Sequence, residues 1–295
     1  MIGEICALLA ALCWAVTPVL YKKSLRNVSY LPANLVRSVF ATLLLLAILP
    51  ATRYDSSTIT LNQLALIIIG SIIMLVIADT LYFIGLKKIG VSRTQPIASS
   101  YPLYSMLLAA VVLNEEIKFA VAVGTLLIVL GIAIVSLTKN ENYNAPNSAT
   151  MRFGVASSII AAVLGGIGLI IFKMALNDVN INSIFVAFIS RIAVLPFLFL
   201  AVVAAGELNQ IEKLTKTDVT FLAVAGMLGI GLAGIFLFLS LALIDASRAI
   251  PLSSISPLPS LILASIYAQE KVGTRIVVGT VLVVMGIILV TFYAQ

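Results

Sequence analysis

The sequence predicts an all-α membrane protein of ten transmembrane helices in two inverted five-helix repeats, and three observations carry that expectation. The 295 residues are 61% hydrophobic and only 10% charged, with a mean hydropathy of +1.17. No water-soluble core hides that much apolar surface, so the solvent must be lipid. Apolar stretches of about 20 residues, enough to cross a ~30 Å hydrocarbon layer at 1.5 Å per residue, recur along the whole chain. The chain also repeats itself. Each copy holds five such stretches, an odd number, so the second copy enters the membrane from the opposite side.

Taken in order, the spans lie at approximately 2–21, 31–50, 61–86, 95–113, 119–138, 153–172, 181–205, 219–244, 249–268 and 275–294. The first is preceded by no basic region and followed by Lys22, Lys23 and Arg26, so it reads as a retained span and not as a cleaved signal. The absence of period-two alternation argues against a β-barrel. Between the fifth and sixth spans, KNENYNAPNSATMR from Lys139 to Arg152 is polar, rich in Asn and interrupted by Pro146. It divides the chain into a first repeat at 1–138, a linker at 139–152 and a second repeat at 153–295. With no extramembrane run of fifty residues, any activity must sit among the helices.

The repeat is clearest where SRTQPIASSYPLYSMLLAAVVLNEE, from Ser92, lies over SRAIPLSSISPLPSLILASIYAQEK, from Ser247. At this spacing Ser92-Arg93 meets Ser247-Arg248, Pro96 meets Pro251, Ser99 meets Ser254, Pro102 meets Pro257, and Glu115 meets Glu270. Gly124-Thr125 falls on Gly279-Thr280 and Gly131 on Gly286. About 18 of the 45 positions from Ser92 onward are identical, more than shared apolarity explains. With small gaps Lys22 falls on Lys173 and Arg37 on Arg191.

Charge and composition exclude several functions. The formal charge is +6 and the pI about 9.4, but the basic residues are scattered through short connections and form no nucleic-acid-binding face. Histidine is absent, and the only cysteines, Cys6 and Cys13, lie in the first span. Neither a metal site, a cofactor nor a disulfide framework is expected, and the two thiols read as small apolar residues. No nucleophile–base pair or metal constellation supports an enzyme.

The candidate site residues follow from the cost of polarity in lipid. Pro96 and Pro102 in the fourth span, and Pro251, Pro257 and Pro259 in the ninth, each remove an intrahelical hydrogen bond. Broken backbone is tolerated at membrane depth only against protein or a water-filled cavity, so these prolines mark either helix breaks around a central site or packing kinks. Gln95, Ser99, Ser100, Tyr101, Tyr104, Ser253, Ser254 and Ser256 lie beside them, able to bond a solute or their own helices. Asp79, deep in the third span, costs about 2.5–3.5 kcal/mol to insert. It is a proton, cation or amine site with Tyr82 one turn away, or an acid paired with an arginine; its repeat counterpart is Gly234. Arg37 and Arg191 must snorkel, pair, or face a polar cavity, where a carboxylate or phosphate would suit them. Trp14, opposite Gly165 in the repeat, lines a cavity or packs. Glu115 and Glu270 end short spans and read as caps. Gly165, Gly166, Gly168, Gly226, Gly229, Gly231 and Gly234 sit in apolar helices without phosphate-loop context and read as close-packing points.

Trp14, Arg37, the proline-containing fourth span ending in Asn114-Glu115-Glu116, and VGTLLIVLGIAIV from Val123 to Val135 together resemble the drug/metabolite transporter superfamily, in particular its EamA-like ten-span permeases. The second half repeats the ending as Gln269-Glu270-Lys271 and VGTVLVVMGIILV, from Val278 to Val290, so the resemblance covers essentially the whole chain. It implies a secondary transporter of the cytoplasmic membrane that moves a small metabolite, such as an amino acid or similar amphipathic solute, by alternating access. A lipid-linked sugar flippase differs only in cargo, and a non-transporting assembly or scaffold protein leaves the inverted repeats unexplained. Expected partners are the solute, membrane lipid and a coupling proton or ion, with a monomer and a homodimer both compatible. Unlike the small multidrug resistance relatives, the stretch from Trp14 to Lys22 and Lys23 holds no carboxylate, which argues against their scheme of cation export. Orientation stays open: odd-numbered connections carry twelve Lys and Arg against four in even-numbered ones, which puts both termini outside, whereas the family's usual arrangement puts both inside.

Overall fold

The computed structural model describes residues 1–24, 28–52, 59–89, 94, 97–136, 148–177, 182–256, 258–259 and 274–292. Every regular element among them is helical. In the first half, α1 is Ile2–Ser24, α2 is Tyr30–Ile48 closed by a 3-10 turn at Leu49–Thr52, α4 is Tyr101–Val112 and α5 is Phe119–Ser136. In the second half, α6 is Ser148–Leu176, α7 is Ser183–Ala204, α9 is Ala246–Ser253 and α10 is Thr274–Phe292. The third helix of each half is composite. Helix α3 runs as Leu61–Ser71, a π-helical Ile72–Ala78 and Asp79–Ile89, while α8 runs as Lys216–Gly226, a π-helical Met227–Leu232 and Ala233–Leu243. A five-residue helix, Leu208–Glu212, lies between α7 and α8.

Local sequence fixes these boundaries. Thr60 accepts from the Gln63 N–H while the Gln63 side chain accepts from the Thr60 N–H, a reciprocal cap that starts α3. Thr215 and Asp218 do the same for α8, at the repeat-equivalent place. Asn182 caps α7 by accepting from the Ile184 and Phe185 N–H groups. Asn114 ends α4 with φ +54°, a left-handed conformation that asparagine tolerates.

By length and composition the described helices Tyr30–Ala51, Leu61–Gly85, Ser148–Leu176, Ser183–Ala204 and Lys216–Leu243 can cross a membrane, and Ile2–Thr17, Tyr101–Val112, Phe119–Ile134 and Val277–Phe292 are shorter apolar helices. They fall at nine of the ten expected spans. The remaining one begins with α9, and its continuation over 260–273 lies outside the described residues.

The inversion of the halves is visible where α5 meets α10. A Cβ placed on Gly124 would stand 2.8 Å from the Gly286 carbonyl, and one on Gly286 would stand 2.6 Å from the Gly124 carbonyl. A Cβ on Gly131 would stand 2.7 Å from the Gly279 carbonyl. As the residue number rises in α5 its partner's number falls in α10, so these repeat-equivalent helices run antiparallel, in backbone contact. The rest of the packing has the same pseudo-twofold character: α1 packs on α8 and α9, and α6 packs on α3 and α4. Across the axis α2 meets α7 and α4 meets α9.

One boundary differs from the sequence reading, and Pro102 and Pro251 can be placed. Helix α6 begins at Ser148, inside the stretch expected as linker, because no residue from Ser148 onward breaks the pattern. Pro102 is the second residue of α4, and the fourth span is interrupted just before it, with Ile97 and Ala98 helical, Ser99 and Ser100 in a turn, and α4 starting at Tyr101. Pro251 does lie inside α9, and its carbonyl accepts from the Ser254 N–H and Oγ–H. Pro96 and Pro257 lie outside the described residues.

Candidate functional site

Between the two halves a cavity of about 190 Å3 is lined from six helices. Trp14 and Thr17 come from α1, Asn34, Arg37 and Ser38 from α2, and Met74, Leu75 and Asp79 from α3. The second half contributes Phe172 from α6, Arg191, Val194 and Leu198 from α7, and Gly229, Ile230, Gly234, Leu237 and Phe238 from α8. At about 30 Å3 per water this volume holds on the order of six waters, or one small solute.

Both π-helical segments open onto it. Met74 and Leu75 belong to the α3 segment and Gly229 and Ile230 to that of α8, and the next residues, Asp79 and Gly234, occupy the same place in each repeat. A π turn widens the helix and frees it from strict i→i−4 bonding, and such turns recur at functional sites. The interruptions that face this cavity therefore lie in the third helix of each half. Those expected from the prolines lie in the fourth, and α4 and α9 supply none of the described lining residues.

Charge is concentrated on the first-half side. The Arg37 Nε donates to Asn34 Oδ1 at 2.7 Å, and its terminal nitrogen lies 3.4 Å from Asp79 Oδ2. Its guanidinium also sits 5.9 Å from the centroid of Phe83, a ring stacked on Tyr30 at 5.2 Å. Asn34 and Phe83 thus hold the arginine from both sides. The pair is long for a charge-assisted bond, and the Asp79 side chain keeps 36% of its surface open against 14% for Arg37, so Asp79 remains available to a solute. Gly226 sets this arrangement from behind: a Cβ there would fall 2.1 Å from the Arg37 carbonyl oxygen, so only glycine lets α8 touch α2 at this point. Arg191, buried at 9% exposure, faces the same cavity from α7. Phe172 and Phe238, with centroids 4.9 Å apart, form an apolar wall.

Four of the expected site residues, Trp14, Arg37, Asp79 and Arg191, meet here. Tyr82, Ser99, Tyr101, Ser254 and Ser256 are not among the lining residues. Tyr82 packs beside Phe83, Ser99 and Ser254 are buried, and Ser254 Oγ donates to the Pro251 carbonyl at 2.7 Å. Tyr101 packs against the main apolar core. Gln95 lies outside the described residues. Sequence reading passed over Asn34, although it precedes Arg37 by one turn on the same face, and over the lining role of Gly234, although it is the repeat partner of Asp79.

Other charges tie helices together away from the cavity, Glu115 and Arg248 across the halves and Lys173 within the second. Glu115, at the end of α4, accepts from the Ala246 and Ser247 N–H groups at 2.8 and 2.9 Å, capping α9 with a negative charge. Lys173 donates to the carbonyls of Leu241 (2.7 Å) and Ile244 (3.1 Å), satisfying the end of α8. Arg248 pairs with Glu4 at 2.5 Å. Among the described residues no three His, Cys, Asp or Glu side chains converge as metal ligands would.

Comparison with known proteins gives the same architecture a family. A protein of Archaeoglobus fulgidus named as an uncharacterized transporter is 26% identical over 291 residues, covering 98% of both chains. A protein of Lactiplantibacillus plantarum that carries a provisional name for sugar uptake is 25% identical over 212 residues, covering 69% of this chain and 70% of its own. A solved crystal structure superposes with a TM-score of 0.83 at 16% identity, over 99% of this chain and 98% of that one, and so shares the fold. The profile of the EamA-like transporter family matches residues 1–137 and again 152–292. The chain is therefore a multi-pass integral membrane protein that belongs to the EamA-like transporter family, within the drug/metabolite transporter superfamily.

Proposed function

We propose that this transporter is a secondary carrier of the cytoplasmic membrane that moves a small polar metabolite through the cavity between its halves by alternating access. One observation supports this most: a chamber holding two arginines and an aspartate is walled by the first three helices of each inverted half. Exchange of the two halves' conformations would present that chamber to one side of the membrane and then to the other. The paired π-helical segments in α3 and α8 are the natural places for such bending, since they already depart from regular bonding on the cavity wall. An amino acid or similar amphipathic solute suits a site with charge on one side and Phe172 and Phe238 on the other. The provisional name of the Lactiplantibacillus relative adds sugars to the solutes worth testing.

The test is uptake by the purified protein in liposomes, screened against labelled amino acids, organic acids and sugars with and without a pH gradient. Asp79→Asn should reduce uptake of the preferred solute at least tenfold while leaving chromatographic behaviour unchanged. Uptake equal to the parent's would remove Asp79 from the mechanism, and passage of no solute under any gradient would refute transport by this route.

A further inference from the structure

The cavity is closed unequally at its two ends. Helices α6 and α8 end at the membrane face where α1 begins, because Lys173 reaches the Ile244 carbonyl and a Cβ on Gly3 would stand 2.7 Å from the Ile244 side chain. Toward that face the buried rings of Phe172 and Phe238 meet across the gap between α6 and α8. The segment Ala233–Leu243 of α8 packs on both α6 and α7. At the other face its repeat counterpart, Asp79–Ile89 of α3, has no comparable packing on α1 or α2 among the described residues. Long side chains span that gap instead, Arg37 to Asp79 and Tyr30 to Phe83. Phe83, the counterpart of Phe238, is only half-buried.

The helices around the cavity fall into two packing groups, α1 with α8 and α9, and α6 with α3 and α4. Lys173 and Glu115 cross from one group to the other, both at the closed face. Lys173 of α6 donates to the last carbonyls of α8, and Glu115 at the end of α4 accepts from the first amides of α9. Glu115 and Asp245 lie close enough to Lys173 to act on its charge, so the two links form one cluster. Arg248 and Glu4 pair on the same face but join α9 to α1, inside one group. We infer that Lys173 and Glu115 are the latch that holds this face shut, and that their release from α8 and α9 is the step that opens the cavity to that side. This rests on the transport reading above and names the positioning residues that hold one of its two states. Helix ends suit the purpose. Their unpaired carbonyls and amides take up water once the groups part, so release leaves no buried polar group without a partner.

The test reads solvent access at Leu241, which is fully buried one turn beyond the lining Leu237 in the direction of the closed face. In the full-length chain carrying Cys6→Ala and Cys13→Ala, Leu241→Cys supplies a single thiol, and its modification by a membrane-impermeant methanethiosulfonate is timed in detergent. Val202→Cys, at a fully buried site near the end of α7, replaces it as the control for general loosening. Lys173→Met and Glu115→Gln should each speed modification at position 241 roughly tenfold, the population shift expected when a charged hydrogen bond that favours one state is lost. Neither should change the rate at position 202. Glu4→Gln, which breaks a pair inside one group, should leave both rates unchanged. Absence of acceleration in either latch variant, an equal rise at position 202, or an equal rise from Glu4→Gln would each overturn the proposal. Selective acceleration in a protein that moves no solute would sink the transport reading and leave the latch; liposome uptake without selective acceleration would do the reverse.

Discussion

The α5–α10 crossing permits a prediction whose magnitude follows from the coordinates. An added Cβ at Gly124, Gly131 or Gly286 would lie 2.6–2.8 Å from a backbone carbonyl of the facing helix. Ordinary carbon–oxygen contact begins near 3.4 Å, and neither partner is a flexible side chain, so each alanine must push the helices apart by roughly 0.7 Å. A gap of that size forfeits a quarter to a half of each dispersion contact along the seam, and overpacking of this kind costs about 1–3 kcal/mol. Gly124 and Gly131 are seven residues, or about 10 Å, apart along α5, so their costs should add. Gly124 and Gly286 face each other at one crossing point, so once the first alanine has parted the helices the second should add little. Unfolding by SDS in mixed micelles reads both results. Gly124→Ala with Gly131→Ala should lose about 2–6 kcal/mol, and Gly124→Ala with Gly286→Ala clearly less than the sum of its singles. Full additivity of the facing pair, or parental stability in any single variant, would refute backbone contact at this seam.

Three further outcomes are expected. Arg37→Ala should lower folded yield and stability by about 1–3 kcal/mol, because Asp79 loses its cation, and Arg37→Ala/Asp79→Ala should recover part of that loss; a double variant worse than the single would deny the pairing. Glu115→Ala removes the acceptor for two α9 amides, worth about 1 kcal/mol, and hydrogen exchange should rise selectively at Ala246 and Ser247. Unchanged protection there would show that something else caps the helix. Pro102→Ala should shift stability by less than about 0.5 kcal/mol, as befits a helix's second position, whereas Pro251→Ala should slow liposome uptake more than it lowers yield.

Hydropathy and the 155-residue offset between halves made the fold legible, because lipid imposes both the length of each span and the sense in which an odd repeat must re-enter. The charged members of the cavity were legible for a related reason: Arg37, Asp79 and Arg191 are too costly inside a span to lack a purpose. The turns beside the prolines, at 99–100 and 254–256, fall where the sequence placed interruptions, but the π-helical departures in α3 and α8 were not legible. Prolines announce themselves in sequence, but Ile72–Ala78 and Met227–Leu232 contain none. The π segments pack against α6 and α1, and no local residue pattern marks them. The prolines point to α4 and α9, which supply none of the described lining residues of the cavity, and away from α3 and α8, which supply several.

The seam where Gly124 meets Gly286 and Gly131 meets Gly279 carries an evolutionary corollary. Its two ends are the same handshake viewed from opposite leaflets, formed by one short motif and its own copy. A free-standing ancestor containing only one half would display a surface that fits an identical molecule inserted upside down, so pairing could precede gene fusion. Since fusion, the motif is under selection twice at once, because a bulky substitution in either copy prises open the same joint.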